Sequence, residues 1–222
     1  MTSSGAWLED LTWREAEARF AASRPMILPI GATAKEHGHH LPLKTDYLTA
    51  RALGQRLIDR LDVVVAPVVG FGFYPAFANY AGSQHLEAGT FMAVIRELIG
   101  NAIDQGVRHI AIVNTGVSTE APLNIAVAEI YRQRGVRVWC AHMRLFGRTA
   151  DRLLDQPGGG HGDERETSIV LALEPRSVRM NDLVPGQDLQ RDAPALASMS
   201  RPFRLHSGAV RDEEFTATGA LG

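Results

Sequence analysis

Short apolar runs separated by longer amphipathic stretches are the feature that most constrains the fold of this chain. The apolar runs are rich in β-branched residues and predict four strands, at residues 26–30, 63–69, 109–114 and 136–141. Apolar residues recur at three- and four-residue intervals in the longer stretches and predict five helices, at residues 13–22, 45–59, 87–105, 120–134 and 164–173. Strands that alternate with helices usually form a parallel sheet covered on both faces. We therefore predict a single three-layer α/β domain over residues 1–222, with a mostly parallel sheet flanked by helices.

Glycine and proline mark the loops that follow the predicted strands. These loops contain Gly31 and residues 70–75, 114–118 and 157–162. Ligands of open α/β sheets bind outside the carboxyl ends of the strands. We therefore expect the loops to converge on one site. Gly106 fits a left-handed cap at the end of the third helix.

The first candidate site follows the first predicted strand. Five residues that can bind metal crowd into eleven positions, namely Glu36, His37, His39, His40 and Asp46. Imidazole and carboxylate together suit zinc, manganese or iron, and one aspartate can bridge two cations. His37 and Asp46 are the central candidates. The alternative is that the histidines are exposed loop residues and Asp46 caps the following helix.

The second candidate site is a glycine-rich loop that leads into the last predicted helix. It contains His161, Glu164 and Glu166. The two glutamates are two positions apart and point in different directions on a helix, so we expect them to have different roles. We assign Glu166 to metal binding and Glu164 to catalysis. The alternative is that these acids only complement the helix dipole.

Both sites together suggest metal-assisted hydrolysis, and the family resemblance described below implies that its target is a C–N bond in a small amide-type molecule. A bound divalent cation acidifies water, which is then the nucleophile, and polarises a carbonyl group. His161 can carry the proton that the water or the departing nitrogen exchanges near neutral pH. The expected cofactor is one or two ions of zinc, manganese or iron per chain.

Composition excludes other classes of protein. Lys and Arg (23) nearly balance Asp and Glu (25), and no basic stripe suggests a nucleic-acid partner. No apolar run approaches the length of a membrane span, and the N-terminus lacks the pattern of a secretory signal, so we expect a cytoplasmic protein. The single cysteine, Cys140, lies in an apolar run and is expected to be a core residue.

Three motifs resemble those of the creatininase (creatinine amidohydrolase) superfamily. Residues 29–46 resemble PxGSxEQHGPHLPLxTD, residues 85–90 resemble the GTxxL-type region, and residues 161–168 resemble HAGExETS. The resemblance implies an α/β fold, often a homohexamer, with two divalent metals bridged by Asp46. It also implies hydrolysis of cyclic amides, formamides or peptide-like bonds, and it makes His37 a metal ligand.

The chain departs from the family pattern at both ends of the first metal site. Lys35 stands where the family glutamate usually stands, so Glu36 would have to bind metal from the adjacent position, which a bulge in the loop could allow. Gly116 stands where the NGHGGN motif of the family has its metal-binding histidine. The first metal site is then weak, recruits Glu120 or His39, or is empty, and a centre with a single metal is one of the alternatives.

Two further departures concern the substrate and the C-terminus. Residues 157–158 are Pro-Gly where creatininase has an aromatic-acid pair, so creatinine itself is not the expected substrate. The sequence stops at residues 218–222, where relatives continue through a GDPxLAT-like segment, so the usual C-terminal helix is expected to be missing.

Two other functions compete with amide hydrolysis. The loss of the histidine at Gly116 and the short C-terminus would suit a binding or assembly protein that keeps the fold without the chemistry. A metal-dependent isomerase or lyase could use the same site, because the metal residues specify polarisation and not the bond that breaks.

Overall fold

The computed structural model describes residues 5–156 and 160–184, which form one parallel sheet between two layers of helices. The strands are β1 (Ala6–Trp7), β2 (Met26–Ile30), β3 (Val64–Val65), β4 (Ile110–Asn114) and β5 (Val138–His142), in the spatial order β1-β3-β2-β4-β5. The helices are α1 (Trp13–Ala21), α2 (Thr45–Ile58), α3 (Ala88–Asp104), α4 (Glu120–Arg134) and α5 (Glu164–Leu173). The prediction of an α/β fold with a mostly parallel sheet is confirmed.

Alternation along the strands divides the core between the two faces of the sheet. Met26, Leu28 and Ile30 of β2 join the larger core, which α1, α3 and α4 complete with side chains such as Phe20, Ile95 and Leu123. The intervening Ile27 packs on the other face with Val65 and with Ile58 at the end of α2. Helix α5 contacts α2 on that second face. Side chains of a strand point to opposite faces in turn, so β2 is buried on both.

Two differences from the predicted strands have local causes. Strand β3 covers only Val64–Val65, and after it Val69 makes an isolated bridge to Ile30. Pro67 lies between them and has no N–H to donate to the ladder, so the predicted strand at 63–69 is interrupted. Strand β1 was not predicted, because two residues give no readable alternation. The expectation of a missing C-terminal helix lies outside the described residues.

The carboxyl ends of three strands lie level with one another and define one edge of the sheet. Ile30 pairs with Asn114, and Asn114 pairs with His142. The residues after β2 and β4 therefore enter the same region, as the loop pattern predicted. Within the described residues, no helix is both long enough and apolar enough to cross a bilayer.

Candidate metal centre

Helix α2 brings Asp46 to the end of β2 through a close contact that only glycine permits. A Cβ on Gly31 would come within 2.7 Å of the Ala50 side chain and would also collide with the Asp46 carbonyl. Tyr47 N–H donates to the Ala32 carbonyl at 3.1 Å and fixes the first turn of α2 against the loop. Asp46 is 4% exposed there, so its carboxylate faces the interior and not solvent.

His37 is fully buried, and one of its ring nitrogens has no hydrogen-bond partner. Nδ1 lies 2.9 Å from the Lys35 carbonyl oxygen. Because a carbonyl can only accept, Nδ1 carries the proton in this contact. Nε2 is unpartnered and lies 3.4 Å from Asp46 Oδ1 without the direction of a hydrogen bond. A carbonyl that fixes one ring nitrogen and leaves the other free is the usual arrangement around a metal-binding histidine.

The second motif delivers its carboxylate through the start of α5. Asp163 caps this helix by accepting from Glu166 N–H at 2.9 Å. Glu166 Oε2 accepts from Gly162 N–H at 2.7 Å, which turns the side chain back toward the loop. Candidate ligand atoms of His37, His161 and Glu166 all lie within 4.8 Å of one another. The fold therefore brings the two motifs together.

Glu36 and His161 form a buried pair across the two motifs. His161 Nε2 lies 2.9 Å from Glu36 Oε2, and the His161 ring also stacks near His37 and Phe77, at centroid distances of 4.7 and 4.2 Å. Glu36 is held by its own backbone N–H, which donates to Ser83 Oγ at 3.0 Å. The predicted ligand role of Glu36 and the predicted proton-carrying role of His161 thus fall on residues in direct contact.

Burial and neighbouring charges set the protonation of this pair. Burial raises the pKa of Glu36 to about 7. Burial lowers the pKa of His161 well below its usual range, and the positive charges of Lys35 and His37 lower it further. The directions agree physically, because burial disfavours the charged form of each group, and a neutral carboxyl can still donate its proton in a hydrogen bond to the neutral imidazole.

Lys35 makes an ion pair with Asp46 inside the protein. Its Nζ lies 3.1 Å from Asp46 Oδ2 and 5.0 Å from the centroid of the Phe77 ring. Lys35 is only 6% exposed. Burial raises the pKa of Asp46, but Lys35 and His37 outweigh burial and hold that pKa far below its usual range. Asp46 is therefore a carboxylate, with one oxygen facing His37 and the other facing Lys35.

The pKa values of His37 and Glu166, the other two titratable residues of this buried cluster, depend on the same neighbouring charges. Burial is the largest influence on the pKa of His37 and lowers it, but the contacts with Asp46 and the charge of Glu166 together outweigh burial, so the pKa is raised and the charged ring is favoured. A cation bound at Nε2 would take the place of that proton. Burial raises the pKa of Glu166. Both raised pKa values indicate that a positive charge between His37 and Glu166 would stabilise this site.

His40 links the two motifs from outside the cluster. Its Nε2 lies 2.8 Å from Thr167 Oγ1, and that hydroxyl donates to the Asp163 carbonyl at 2.7 Å. Because the Thr167 hydroxyl already donates its only proton to the Asp163 carbonyl, it accepts from His40, and Nε2–H of His40 is the donor. Burial lowers the pKa of His40, which agrees with a neutral ring. His39, beside it, is exposed.

Glu164 lies elsewhere than its predicted catalytic role would require. Its carboxylate accepts hydrogen bonds from the N–H groups of Asp155 and Gln156, at 3.2 and 2.7 Å. It also lines a mostly apolar cavity of about 460 Å³ between α2, α5 and residues 143–154, whose lining contains none of the cluster residues. Glu164 and Glu166 do point in different directions, but the structure gives Glu164 contacts that hold a loop. Its catalytic role stays a prediction without a supporting contact.

The loop after β4 closes on itself where the family histidine would stand. The Asn114 side chain donates to the Gly116 carbonyl at 2.7 Å and accepts from Gly116 N–H at 3.3 Å and from Thr119 Oγ1 at 2.7 Å. Glu120 was one expected replacement for the family histidine. Its carboxylate is instead paired with Arg144, whose Nε lies 2.7 and 2.8 Å from the two oxygens. The other expected replacement, His39, is exposed. Neither replacement joins the described cluster.

Sequence reasoning missed three contacts of this site. Lys35 was noted as a departure from a motif and not as the partner of Asp46. Phe77 and Ser83, which support Lys35 and Glu36, come from a loop about 40 residues later in the chain. The available signal was a lysine inside a run of residues that can bind metal. Lysine is almost never buried without a partner, so its position there indicated a nearby carboxylate.

The side chains around His37 are suited to bind a divalent cation. A buried, unpartnered imidazole nitrogen costs free energy that a ligand would recover, and it lies among carboxylates of suitable chemistry. The fold and the site thus define an α/β protein with a buried histidine and carboxylate centre suited to a divalent metal.

Comparison with known proteins agrees with that class. The family model for creatinine amidohydrolase, Creatininase, matches residues 9–222. Creatinine amidohydrolase of Pseudomonas putida is 26% identical over 202 residues, which cover 82% of this chain and 77% of that protein. Mycofactocin precursor peptide peptidase of Mycolicibacterium smegmatis is 28% identical over 193 residues, covering 84% and 70%. A solved mutant creatininase of Zn-Zn type has a TM-score of 0.78 at 24% identity, covering 99% of this chain and 88% of its own.

The chain belongs to the creatininase family. The resemblance that its motifs suggested is therefore confirmed, and so is the predicted class of enzyme, a metal-dependent amidohydrolase.

Proposed function

We propose that this protein hydrolyses a C–N bond of an amide, cyclic amide or formamide in a small molecule, with a divalent metal held by His37, Asp46 and Glu166. The observation that carries the proposal is the free Nε2 of fully buried His37, 3.4 Å from Asp46 Oδ1 and grouped with Glu166. The bound metal would supply the Lewis acidity that acidifies water and polarises a carbonyl. Zinc, manganese and iron all suit these ligands.

Two neighbouring residues, Glu36 and His161, supply the proton transfer. His161 lies within ligand distance of the cluster and is hydrogen-bonded to Glu36 at 2.9 Å. Amide hydrolysis must take a proton from water and deliver one to the departing nitrogen. A carboxyl and an imidazole in contact can do both, because a proton passed along their hydrogen bond leaves neither group charged in isolation. His161 is thus the proton carrier, and Glu36 is its partner.

The first test is the metal content of protein purified without chelator, followed by a screen of amides, cyclic amides and formamides. We expect bound metal and release of an amine or of ammonia from at least one substrate class. A metal content below about a tenth of an ion per chain would mean that the site is almost unoccupied. That result, with no gain of activity on adding zinc, manganese or iron, would contradict the proposal. Hydrolysis is distinguished from isomerisation or elimination by the appearance of a carboxylate product.

Two histidines of the same loop provide a matched control. We expect His37→Ala to abolish metal binding and turnover, because it removes the buried ligand. His39→Ala removes the same side chain from an exposed position two residues away and should leave both unchanged. Equal loss in both variants would point to damage of the loop and not to a ligand role for His37. Turnover that persists in His37→Ala would contradict the proposed metal chemistry, whereas ligand binding without turnover in both the wild type and His37→Ala would favour a binding protein.

A further inference from the structure

We propose that Lys35 is a built-in cation of the centre, whose ammonium group occupies the second cation position beside Asp46 and limits the site to one metal ion. The proposal rests on the proposed function, since it concerns the same centre. It identifies Lys35 as a positioning residue that the family pattern does not contain.

The geometry of Asp46 is the first support. A carboxylate that bridges two cations uses one oxygen for each of them. Here Oδ1 faces the free His37 Nε2 at 3.4 Å, on the side of the candidate metal. Oδ2 faces Lys35 Nζ at 3.1 Å. The ammonium therefore stands where a second metal would have to bind, and the Phe77 ring, 5.0 Å away, helps to hold it there.

The space around Lys35 is the second support. A cavity beside Lys35, Asp46 and Gly116 has a volume of about 10 Å³, which accommodates about one water molecule. The loop that lines it satisfies its own polar groups, because the Asn114 side chain and Thr119 hydroxyl bind the Gly116 backbone or each other. Neither Gly116 nor Lys35 can offer a ligand atom to a metal at this place, apart from the backbone.

The balance of charge is the third support. Two carboxylates remain as anions beside the candidate metal position, those of Asp46 and Glu166, because Glu36 shares its buried hydrogen bond with His161. One dication balances these two negative charges, and the Lys35 ammonium already adds one positive charge. A second dication would raise the buried excess to three positive charges, which the interior of a protein strongly disfavours. The lysine thus replaces one metal ion electrostatically without adding a coordination sphere.

Metal stoichiometry tests the proposal independently of activity. Wild-type protein is stripped of metal, titrated with zinc and weighed by native mass spectrometry, with total zinc checked by elemental analysis. We expect saturation at one zinc per chain. Gly116→His alone adds an imidazole while Lys35 remains, and it should also stop at one. Lys35→Glu/Gly116→His replaces the ammonium with a ligand, and it should bind two.

Each outcome decides between the proposals. Two zinc ions per chain in the wild type or in Gly116→His would overturn the role of Lys35 and leave the metal-dependent function standing. A folded double variant that still binds one zinc would overturn it as well. No zinc in the wild type would remove the proposed function together with its metal. If the double variant does not fold, as circular dichroism would reveal, the wild-type and Gly116→His stoichiometries still decide the question.

Discussion

His161 Nε2 lies 2.9 Å from Glu36 Oε2, and this contact joins two residues that are 125 positions apart in the chain. It connects the loop after β2 to the loop before α5, so the two motifs meet in one buried pair. The contact with His161 changes the role that we propose for Glu36. Its position favours proton transfer, whereas the motif comparison favoured metal binding.

The Glu36–His161 pair can be separated from metal binding by substitution. Glu36→Gln keeps a side chain of the same shape but cannot take up a proton. We expect kcat on a substrate from the amide screen to fall by about 10²- to 10⁴-fold, with an unchanged zinc content. Glu87→Gln changes an exposed glutamate just before α3 and serves as the control. Loss of zinc along with activity in Glu36→Gln would show that Glu36 is a ligand instead.

The position of Gly31 predicts an asymmetry between two glycine substitutions. Gly31→Ala places a methyl group against the backbone of Asp46 and the side chain of Ala50, so it should destabilise the fold by about 1–3 kcal/mol and shift α2. Gly100→Ala, inside α3, meets nothing closer than 3.7 Å and should stabilise by about 0.5–1 kcal/mol. Urea unfolding of both variants measures the difference. Equal effects would mean that α2 does not depend on the close contact at Gly31.

The thiol of Cys140 provides a prediction about pH. Burial raises its pKa to about 11, compared with about 8.5 for a free thiol. At pH 8 the thiolate fraction, and with it the rate of alkylation by iodoacetamide, should be roughly 200-fold lower than for a free cysteine. The rate should rise tenfold per pH unit up to about pH 10. Because Cys140 is the only cysteine, mass spectrometry of the whole protein measures it directly.

The raised pKa of Cys140 also determines whether the protein gains or loses stability as the pH rises. Between the unfolded and folded pKa values, the native state holds the thiol proton more often than the unfolded state does, so stability falls as the pH rises through that window. Cys140→Ala should show a smaller loss of stability between about pH 8.5 and 11 than the wild type. An alkylation rate at pH 8 equal to that in urea would mean that the thiol is not protected.

Much of the architecture could be predicted from the sequence because it depends on local patterns. The five helices and the strands of the centre of the sheet follow from apolar periodicity, and the predicted cap at Gly106 agrees with its φ of 95°. Where a single residue breaks the pattern, as Pro67 does just after β3, the length of the element was overestimated. The convergence of the loops followed from the general position of ligands in parallel sheets.

The arrangement inside the site could not be predicted, because it depends on how one loop turns. Lys35 and Glu36 are adjacent, yet one side chain binds Asp46 and the other binds His161. Gly38 has a φ of 77°, a conformation that glycine adopts easily, and its N–H donates to the Glu36 carboxylate. The sequence spacing of His37 and Asp46 carries no information about which oxygen faces which neighbour.

Metal removal should lower the stability of the native state, because the candidate ligands come from parts of the chain that only folding brings together. His37 and Asp46 lie near β2 and α2, whereas Glu166 lies on α5, so the unfolded chain has no preformed site. Zinc at a hundred times its dissociation constant should stabilise by about 2.7 kcal/mol, which corresponds to roughly 5–10 °C in Tm for a chain of this size. Calorimetry with zinc and with chelator measures the shift. His37→Ala should lose it, His39→Ala should keep it, and a Tm in the wild type that does not respond to zinc would rule out a site that couples the motifs.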